Sequence, residues 1–125
     1  MKRDPSLEEL HVAPGNPGIA AIATVHPINT DNNQEVIALA ESLAIDLVVI
    51  GPEKPLVQGL SDDLRKAGFP VFGPSQAASA IEGSKDFAKQ VMRDAGVPTA
   101  KSFTCTTREE VEAALDSFGA PYVVK

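Results

Sequence analysis

The sequence predicts an α/β fold in which short parallel strands alternate with helices. Ten prolines and nine glycines divide the 125 residues into short apolar runs, a pattern typical of strands joined by crossover helices. With 43% apolar residues, the chain is long enough to bury a core. No strand with a glycine-rich loop opens the sequence, so we expect a sheet that is incomplete at its N-terminus.

Four short apolar runs in the first part of the chain predict strands, at residues 10–13, 22–25, 47–50 and 70–72. Residues 47–50 are apolar without alternation, which predicts a strand covered on both faces and makes it the best candidate for a central parallel strand. Residues 14–18, with two prolines and two glycines, are predicted to be a loop that is neither helix nor sheet.

Helices are predicted between these runs from capping residues and apolar periodicity. Asp31 is the predicted cap of the first helix, and a second helix is predicted from about Pro55 to a stop at Gly68. Ser75 is expected to cap a short alanine-rich helix. Ser84 is expected to cap another that carries apolar residues on one face.

After residue 97 the pattern predicts a strand at 101–104, then a helix opened by a capping box of Thr107 and Glu110, then a final strand from 122. The alternation of predicted strands and helices changes at residues 82–89, where two helices follow one another without a strand between them. The predicted domains are therefore residues 1–84 and 85–125. Because the chain stops on a strand, we expect the second domain to be incomplete as well.

Charge and composition argue against several classes of function. The net charge of −6 and the scattered lysines and arginines disfavour nucleic-acid binding. No apolar run approaches the length of about 20 residues that spans a bilayer. A single cysteine, Cys105, indicates a reducing compartment and hence the cytoplasm, and neither His11 nor His26 has a spacing that suggests a catalytic partner for it.

Candidate binding residues follow the predicted strands, because ligands of an open parallel sheet bind at the carboxyl ends of its strands. Asn16 and Gly18 follow the first strand, where a backbone without side chains could approach an anion; an ordinary tight turn is the alternative. Gly51 and Glu53 follow the most apolar strand. Glu53 could hold ribose hydroxyls or an amine, or only complement the dipole of the next helix.

Two lysines are also candidate site residues because of their positions. Lys85 begins a predicted helix, where the helix dipole disfavours a cation, and Lys125 directly follows an apolar strand. The alternative for each is an ordinary solvated surface lysine.

Six stretches of the chain, in register, resemble the phosphoribosylamine–glycine ligase (glycinamide ribonucleotide synthetase) family. Single matches of this kind are weak evidence, but their common order and spacing cover nearly the whole chain. They comprise residues 11–18, 51–57, 72–75, 82–89, 97–100 and 123–125.

The resemblance implies a Rossmann-like (pre-ATP-grasp) domain, lacking the family's first strand and glycine loop, followed by the start of an ATP-grasp domain. It implies an ATP-dependent ligase of purine biosynthesis that joins glycine to 5-phosphoribosylamine through a glycyl phosphate, with Mg²⁺ or Mn²⁺ held by ligands outside this chain. Lys85 and Lys125 would contact ATP, and Asn16, Gly18, Gly51 and Glu53 would line the phosphoribosylamine side.

No catalytic residue is assigned, and the chain alone is expected to be inactive because its ATP and metal sites would be incomplete. Two alternatives stay open. One is a non-catalytic Rossmann-like module that binds a nucleotide or sugar phosphate, and the other is a different ATP-grasp ligase of the purine pathway.

Overall fold

The computed structural model describes residues 4–124, which form an α/β chain of four short strands and seven helices. The strands are β1 His11–Val12, β2 Thr24–Val25, β3 Val48–Val49 and β4 Val71–Phe72. The helices are α1 Pro17–Ala20, α2 Asn33–Ser42, α3 Glu53–Val57, α4 Leu60–Lys66, α5 Gln76–Gly83, α6 Lys85–Asp94 and α7 Arg108–Phe118. The chain divides into two compact units between Gly83 and Ser84.

The four strands predicted in the first part of the chain are confirmed, and they pair in parallel. β1 pairs with β2, and β3 pairs with β4, with Val48 opposite Val71 and Val49 opposite Phe72. Each pair is joined through helices, as parallel strands require. The described strands thus form two small parallel sheets, which is the expected class of fold.

The core of the first unit lies beneath the β3–β4 sheet. Helices α2, α3 and α4 each direct apolar residues toward the inner face of β3, and Leu64 is completely buried. Burial of such a side chain stabilises the fold by roughly 1.5–3 kcal/mol. The buried apolar cluster consists of Ile37, Ala40, Ile50, Leu56, Leu60 and Leu64.

The prediction that β3 is covered on both faces is wrong for the described residues. Ile50 is buried, but Leu47 and Val49 are 51% and 44% exposed. Successive side chains of a strand point to opposite faces, so one face of β3 packs on the core while the other is open. An unbroken apolar run thus predicted the strand correctly but did not show that both of its faces are covered.

Two local predictions at the first helices are also wrong. Pro17 and Gly18 are not in a loop but in the first turn of α1, because proline suits the first helical position and Asn16 supplies the cap. The cap of α2 is Asn32, whose side chain accepts a hydrogen bond from the Gln34 N–H, and not Asp31. Asp31 instead forms an ion pair with Lys54.

The single helix predicted from Pro55 to Gly68 is two helices, α3 and α4. Gly59 has a φ of +87°, in the left-handed region, which ends α3 and starts α4. The helical spacing also predicts Leu56, Leu60, Leu64 and Ala67 on the buried side; the three leucines do belong to the core, whereas Ala67 is exposed.

The second unit contains α6 and α7, both capped as predicted. The Ser84 side chain accepts a hydrogen bond from the Phe87 N–H, and Thr107 and Glu110 form the capping box of α7. No strand forms at 101–104 or 122–124, so these two predictions are wrong for the described residues. Strand formation depends on a paired neighbour, which apolar and β-branched composition does not supply.

Candidate functional site

A cleft of about 490 Å³ opens in the first unit, at the carboxyl end of β3. Gly51 and Glu53, both predicted site residues, line it together. Other lining residues come from the β4–α5 connection and from α5, so the cleft lies where two strand ends meet the start of helices. The lining residues are Gly51, Glu53, Leu56, Pro74, Ala78, Ser79, Ile81 and Glu82.

Glu53 is exposed and is the first residue of α3, where the backbone follows Pro52 without a side-chain cap. A carboxylate in the first turn is favoured by the helix dipole. Its position in a cleft also leaves it able to accept hydrogen bonds from a ligand. Both interpretations of Glu53 given by the sequence are therefore compatible with its geometry.

Glu82, on α5, is a second carboxylate in the same cleft and was missed as a site residue. Its role depends on the packing of α3 against α5, for which local sequence gives no signal; its only signal was its place in the matching stretch 82–89. Two carboxylates and the backbone of Gly51 suit a ligand that donates hydrogen bonds, such as a sugar diol or an amine. They repel a phosphate group.

The wall of the cleft is fixed by hydrogen bonds from side chains to backbone carbonyls. Ser79, almost completely buried, donates its hydroxyl to the Ser75 carbonyl at 2.8 Å. At the end of β4, Arg65 Nη2 donates to the Gly73 carbonyl at 2.6 Å, and the buried Ser61 hydroxyl donates to the same oxygen at 3.2 Å. These bonds hold the backbone immediately before Pro74, which lines the cleft.

The start of α5 is attached to the corner between α3 and α4. The Gln76 N–H donates to the Asp62 carboxylate at 2.9 Å, and the Gln76 side chain donates to the Val57 carbonyl at 3.0 Å. The two helices that flank the cleft are therefore joined directly.

Asn16 and Gly18 are not among the residues that line the cleft. The Asn16 Oδ1 atom accepts a hydrogen bond from the Ile19 N–H at 3.0 Å, as the cap of α1. Gly18 lies in that helix, and a Cβ atom there would stand 3.3 Å from Asn16 Oδ1. The structure thus gives this segment a capping role and does not bring it together with Gly51 and Glu53.

Lys85 is exposed and is the first residue of α6, in the second unit. Among the ion pairs of residues 4–124, none involves Lys85. Lys125 lies outside the described residues. The contact of each lysine with ATP stays a prediction.

The second unit has a smaller cavity of about 230 Å³, which sequence reasoning missed. Lys89 Nζ there donates to the Thr99 hydroxyl and to the Ala100 carbonyl, each at 2.7 Å. Its ammonium group thus joins α6 to the segment that follows it. The lining residues are Lys89, Arg93, Thr99, Ala100, Lys101 and Ser102.

Two carboxyl groups with lowered pKa values, Asp63 and Glu110, are not among the residues that line the cleft. The pKa of Asp63 is lowered, first by a hydrogen bond from the Asn33 side chain and then by Lys66. The pKa of Glu110 is lowered by hydrogen bonds from the backbone and side chain of Thr106.

Across residues 4–124, no three histidine, cysteine or acidic side chains are arranged to hold a metal ion. None of the described helices combines the length and apolarity needed to cross a bilayer.

Short parallel strands joined by helices make the first unit an α/β domain with a cleft at the carboxyl end of β3. Comparison with known families identifies it further: residues 1–82 match the model described as phosphoribosylglycinamide synthetase, N domain. That match covers more than half of the chain. The chain therefore belongs to the phosphoribosylglycinamide synthetase N-domain family.

Curated relatives agree with this assignment. The chain is 57% identical over its full length to a phosphoribosylamine–glycine ligase of Streptomyces coelicolor, of which it covers 30%. It is 53% identical, over 94% of its length, to the ligase of the same name from Leifsonia xyli, of which it covers 28%. An equally named protein of Mycobacterium leprae is 47% identical over 97% of the chain, which covers 29% of it. The chain thus spans under a third of the length of these relatives.

Proposed function

We propose that this chain is the substrate-side portion, with the beginning of the ATP-grasp portion, of a phosphoribosylamine–glycine ligase of purine biosynthesis. The proposal is supported by the family of residues 1–82 and by the shared name of the relatives. Residues 1–84 would form the Rossmann-like domain and residues 85–125 the start of the ATP-grasp domain. The predicted cytoplasmic location belongs to the same proposal.

The reaction proposed for the whole enzyme has two steps. A glycine carboxylate is a poor electrophile, so an oxygen of it first attacks the γ-phosphorus of ATP, giving glycyl phosphate and ADP. The amine of 5-phosphoribosylamine then attacks the glycyl carbonyl carbon, forming the C–N bond and releasing phosphate. Positioning and charge stabilisation dominate catalysis of phosphoryl transfer, which is why cationic side chains are expected near the phosphates.

Lys85 and Lys125 are the proposed ATP ligands, each placing a compact positive charge on the phosphates. Gly51 and Glu53 are the proposed ligands of phosphoribosylamine, and the cleft adds Glu82 to them. Carboxylates in this cleft suit the ribose hydroxyls or the amine and not the 5-phosphate. Asn16 and Gly18 are proposed to bind the same substrate. Because the Asn16 Oδ1 atom already accepts the capping hydrogen bond of α1, the Asn16 Nδ2 group would be the one that donates to the substrate.

Magnesium or manganese would neutralise charge on the transferred phosphoryl group when bound to such an enzyme. These ions prefer several oxygen ligands. In residues 4–124 no three suitable side chains converge, so the described residues do not fit a complete metal site.

One observation carries the assignment of the substrate side: Gly51 and Glu53 line a single cleft at a strand end in a chain of this family. The test is a chimera in which this chain replaces the matching segment of the Streptomyces coelicolor relative. Formation of ADP should require both glycine and phosphoribosylamine. An active chimera would contradict the alternative that this chain is a non-catalytic binding module. Activity with an acceptor other than phosphoribosylamine would contradict the choice of this ligase among the ATP-grasp ligases of the purine pathway.

Three variants of the chimera separate the two substrates. Glu53→Gln should raise the KM for phosphoribosylamine by about tenfold, which corresponds to about 1.4 kcal/mol, with the KM for ATP unchanged. Lys85→Ala and Lys125→Ala should instead raise the KM for ATP or lower turnover by about tenfold. Glu41→Gln, an exposed carboxylate on α2, is the matched control. Weakened ATP binding alone in Glu53→Gln would contradict the assignment of that residue.

A further inference from the structure

Two histidines meet on one face of the β1–β2 sheet. In its parallel register, His11 lies opposite Thr24 and Val12 opposite Val25. Because side chains alternate between the faces of a strand, His26, two residues beyond Thr24, projects on the same side as His11. The His11 Nδ1 atom lies 3.0 Å from the His26 Nε2 atom, and the ring centroids are 5.2 Å apart.

The opposite edge of the His11 ring is held by a carboxylate. His11 Nε2 lies 2.9 Å from Oε2 of Glu9, and the His11 side chain is only 15% exposed. An ionised carboxylate only accepts hydrogen bonds, so the hydrogen-bond network assigns the proton of the neutral His11 ring to Nε2. The lone pair of His11 Nδ1 is thereby directed toward His26.

We propose that His11 and His26 form a two-nitrogen binding site for a divalent transition-metal ion such as Zn²⁺. Zinc binds imidazole nitrogens at about 2.0–2.1 Å with tetrahedral geometry, which sets two ligand nitrogens roughly 3.3 Å apart. The observed separation of 3.0 Å is close to this value, and each ring would turn so that its lone pair points at the ion instead of at the other nitrogen. His26 would take the tautomer with its proton on Nδ1, leaving Nε2 to bind the ion.

Glu9 completes the arrangement from outside the coordination sphere. A metal-bound histidine commonly donates its other ring N–H to a carboxylate, which fixes its orientation and raises its basicity as a ligand. His11 already makes this contact with Glu9. The carboxylate would thus orient the ligand and not bind the ion itself.

The donor atoms select the class of ion. Imidazole nitrogens suit zinc, copper and nickel, whereas magnesium and calcium prefer oxygen. No third protein ligand is available among the described residues, so water would fill the remaining positions. Residues 1–83 contain eleven acidic and five basic side chains, and this negative charge favours a cation.

The test is a calorimetric titration of the tag-free 125-residue chain with zinc chloride after chelator treatment. One Zn²⁺ per chain is expected. His11→Gln and His26→Gln should each weaken binding by more than tenfold, and Glu9→Gln by about 10–100-fold. Glu8→Gln, an exposed neighbouring carboxylate, should leave binding unchanged. Absence of zinc binding, or its retention in both histidine variants, would overturn the proposal.

A second measurement does not depend on the variants folding. Nitrogen NMR of the unsubstituted chain should show that Zn²⁺ changes the resonances of His11 Nδ1 and His26 Nε2, while His11 Nε2 keeps its proton. Binding at other nitrogens, or at neither ring, contradicts the site.

Discussion

Arg65 on α4 donates to the Gly73 carbonyl oxygen at the end of β4, with 2.6 Å between Nη2 and that oxygen. The same nitrogen reaches the Val71 carbonyl at 3.3 Å, and Nη1 donates to the Ser61 hydroxyl at 2.7 Å. One guanidinium group therefore holds the backbone on both sides of Phe72. This arrangement uses the rigid, many-donor geometry of arginine.

Replacing Arg65 should lower stability more than its partly exposed position suggests. Arg65→Ala leaves the Gly73 and Val71 carbonyls without these donors, so we expect a loss of about 1–2 kcal/mol in the free energy of unfolding. Arg65→Lys should keep only part of this stability, because a single ammonium group cannot donate to the Ser61 hydroxyl and to both carbonyls at once. Urea unfolding measures the difference.

Lys66→Ala is the matched control for Arg65, since Lys66 is the next residue and makes only an exposed ion pair with Asp63. Such pairs contribute roughly 0–1 kcal/mol. Equal losses for Arg65→Ala and Lys66→Ala would mean that the bonds of Arg65 to β4 add nothing.

Gly59 should tolerate substitution poorly because its φ is +87°. A Cβ atom there would also stand 3.2 Å from Gln76 Oε1. Gly59→Ala is expected to lower the unfolding free energy by about 1–2 kcal/mol, the cost of a left-handed conformation for an L-residue. Gly59→Asn should lose less, because asparagine accepts this conformation more readily. Thermal unfolding of both variants is the measurement, and equal stability of wild type and Gly59→Ala would contradict the strain.

Features of the fold that are set by neighbouring residues could be predicted from the sequence, whereas features set by contacts between distant residues could not. The caps Ser84 and Thr107 were predicted correctly because a capping side chain and the backbone N–H group that donates to it lie within three residues of each other. Gly59 stood inside a continuous apolar periodicity, so nothing local marked the break. The strand predicted at 101–104 failed because pairing depends on a partner elsewhere in the chain.

The residues of the candidate site also fall into a group that the sequence could predict and a group that it could not. Gly51 and Glu53 could be predicted to line a cleft because residues that follow a parallel strand lie at the ligand-binding edge of the sheet. Glu82 could not, since only the packing of α5 against α3 brings it into the cleft. The meeting of His11 and His26 likewise depends on the register of β1 and β2, which two isolated histidines in a sequence do not indicate.

Gly83 ends α5 against Val57, and a Cβ atom on it would stand 2.8 Å from Val57 Cγ2. This contact is too short for real atoms, so α5 or Val57 would have to move. We expect Gly83→Ala to destabilise the chain by about 1–3 kcal/mol through overpacking, despite the higher helix propensity of alanine. Urea unfolding measures the loss.

The double variant Gly83→Ala/Val57→Ala tests the cause. Removing the valine methyl groups makes room for the new Cβ atom, so the double variant should be more stable than the sum of the two single losses predicts. Strict additivity would show that the two side chains do not collide.

Stability at acid pH should depend on Asp63. Its pKa is lowered below the ordinary value of 3.8, chiefly by the hydrogen bond from Asn33 Nδ2 at 2.8 Å and secondly by Lys66. A carboxyl group with a lowered pKa in the folded state stabilises the fold above its unfolded pKa. That stabilisation is lost as the pH falls from about 4 through the folded pKa, because the folded state then takes up the proton.

Asn33→Ala should therefore reduce the loss of stability between about pH 6 and about pH 3, measured by urea unfolding at each pH. Lys66→Ala should reduce it less, since Lys66 is the smaller cause and its side chain is 77% exposed. Asp63→Asn removes the titrating group and sets the limit that the other variants approach. If all three variants lose as much stability on acidification as the unsubstituted chain, another carboxyl group controls the acid response, and the Asn33–Asp63 bond contributes nothing to it.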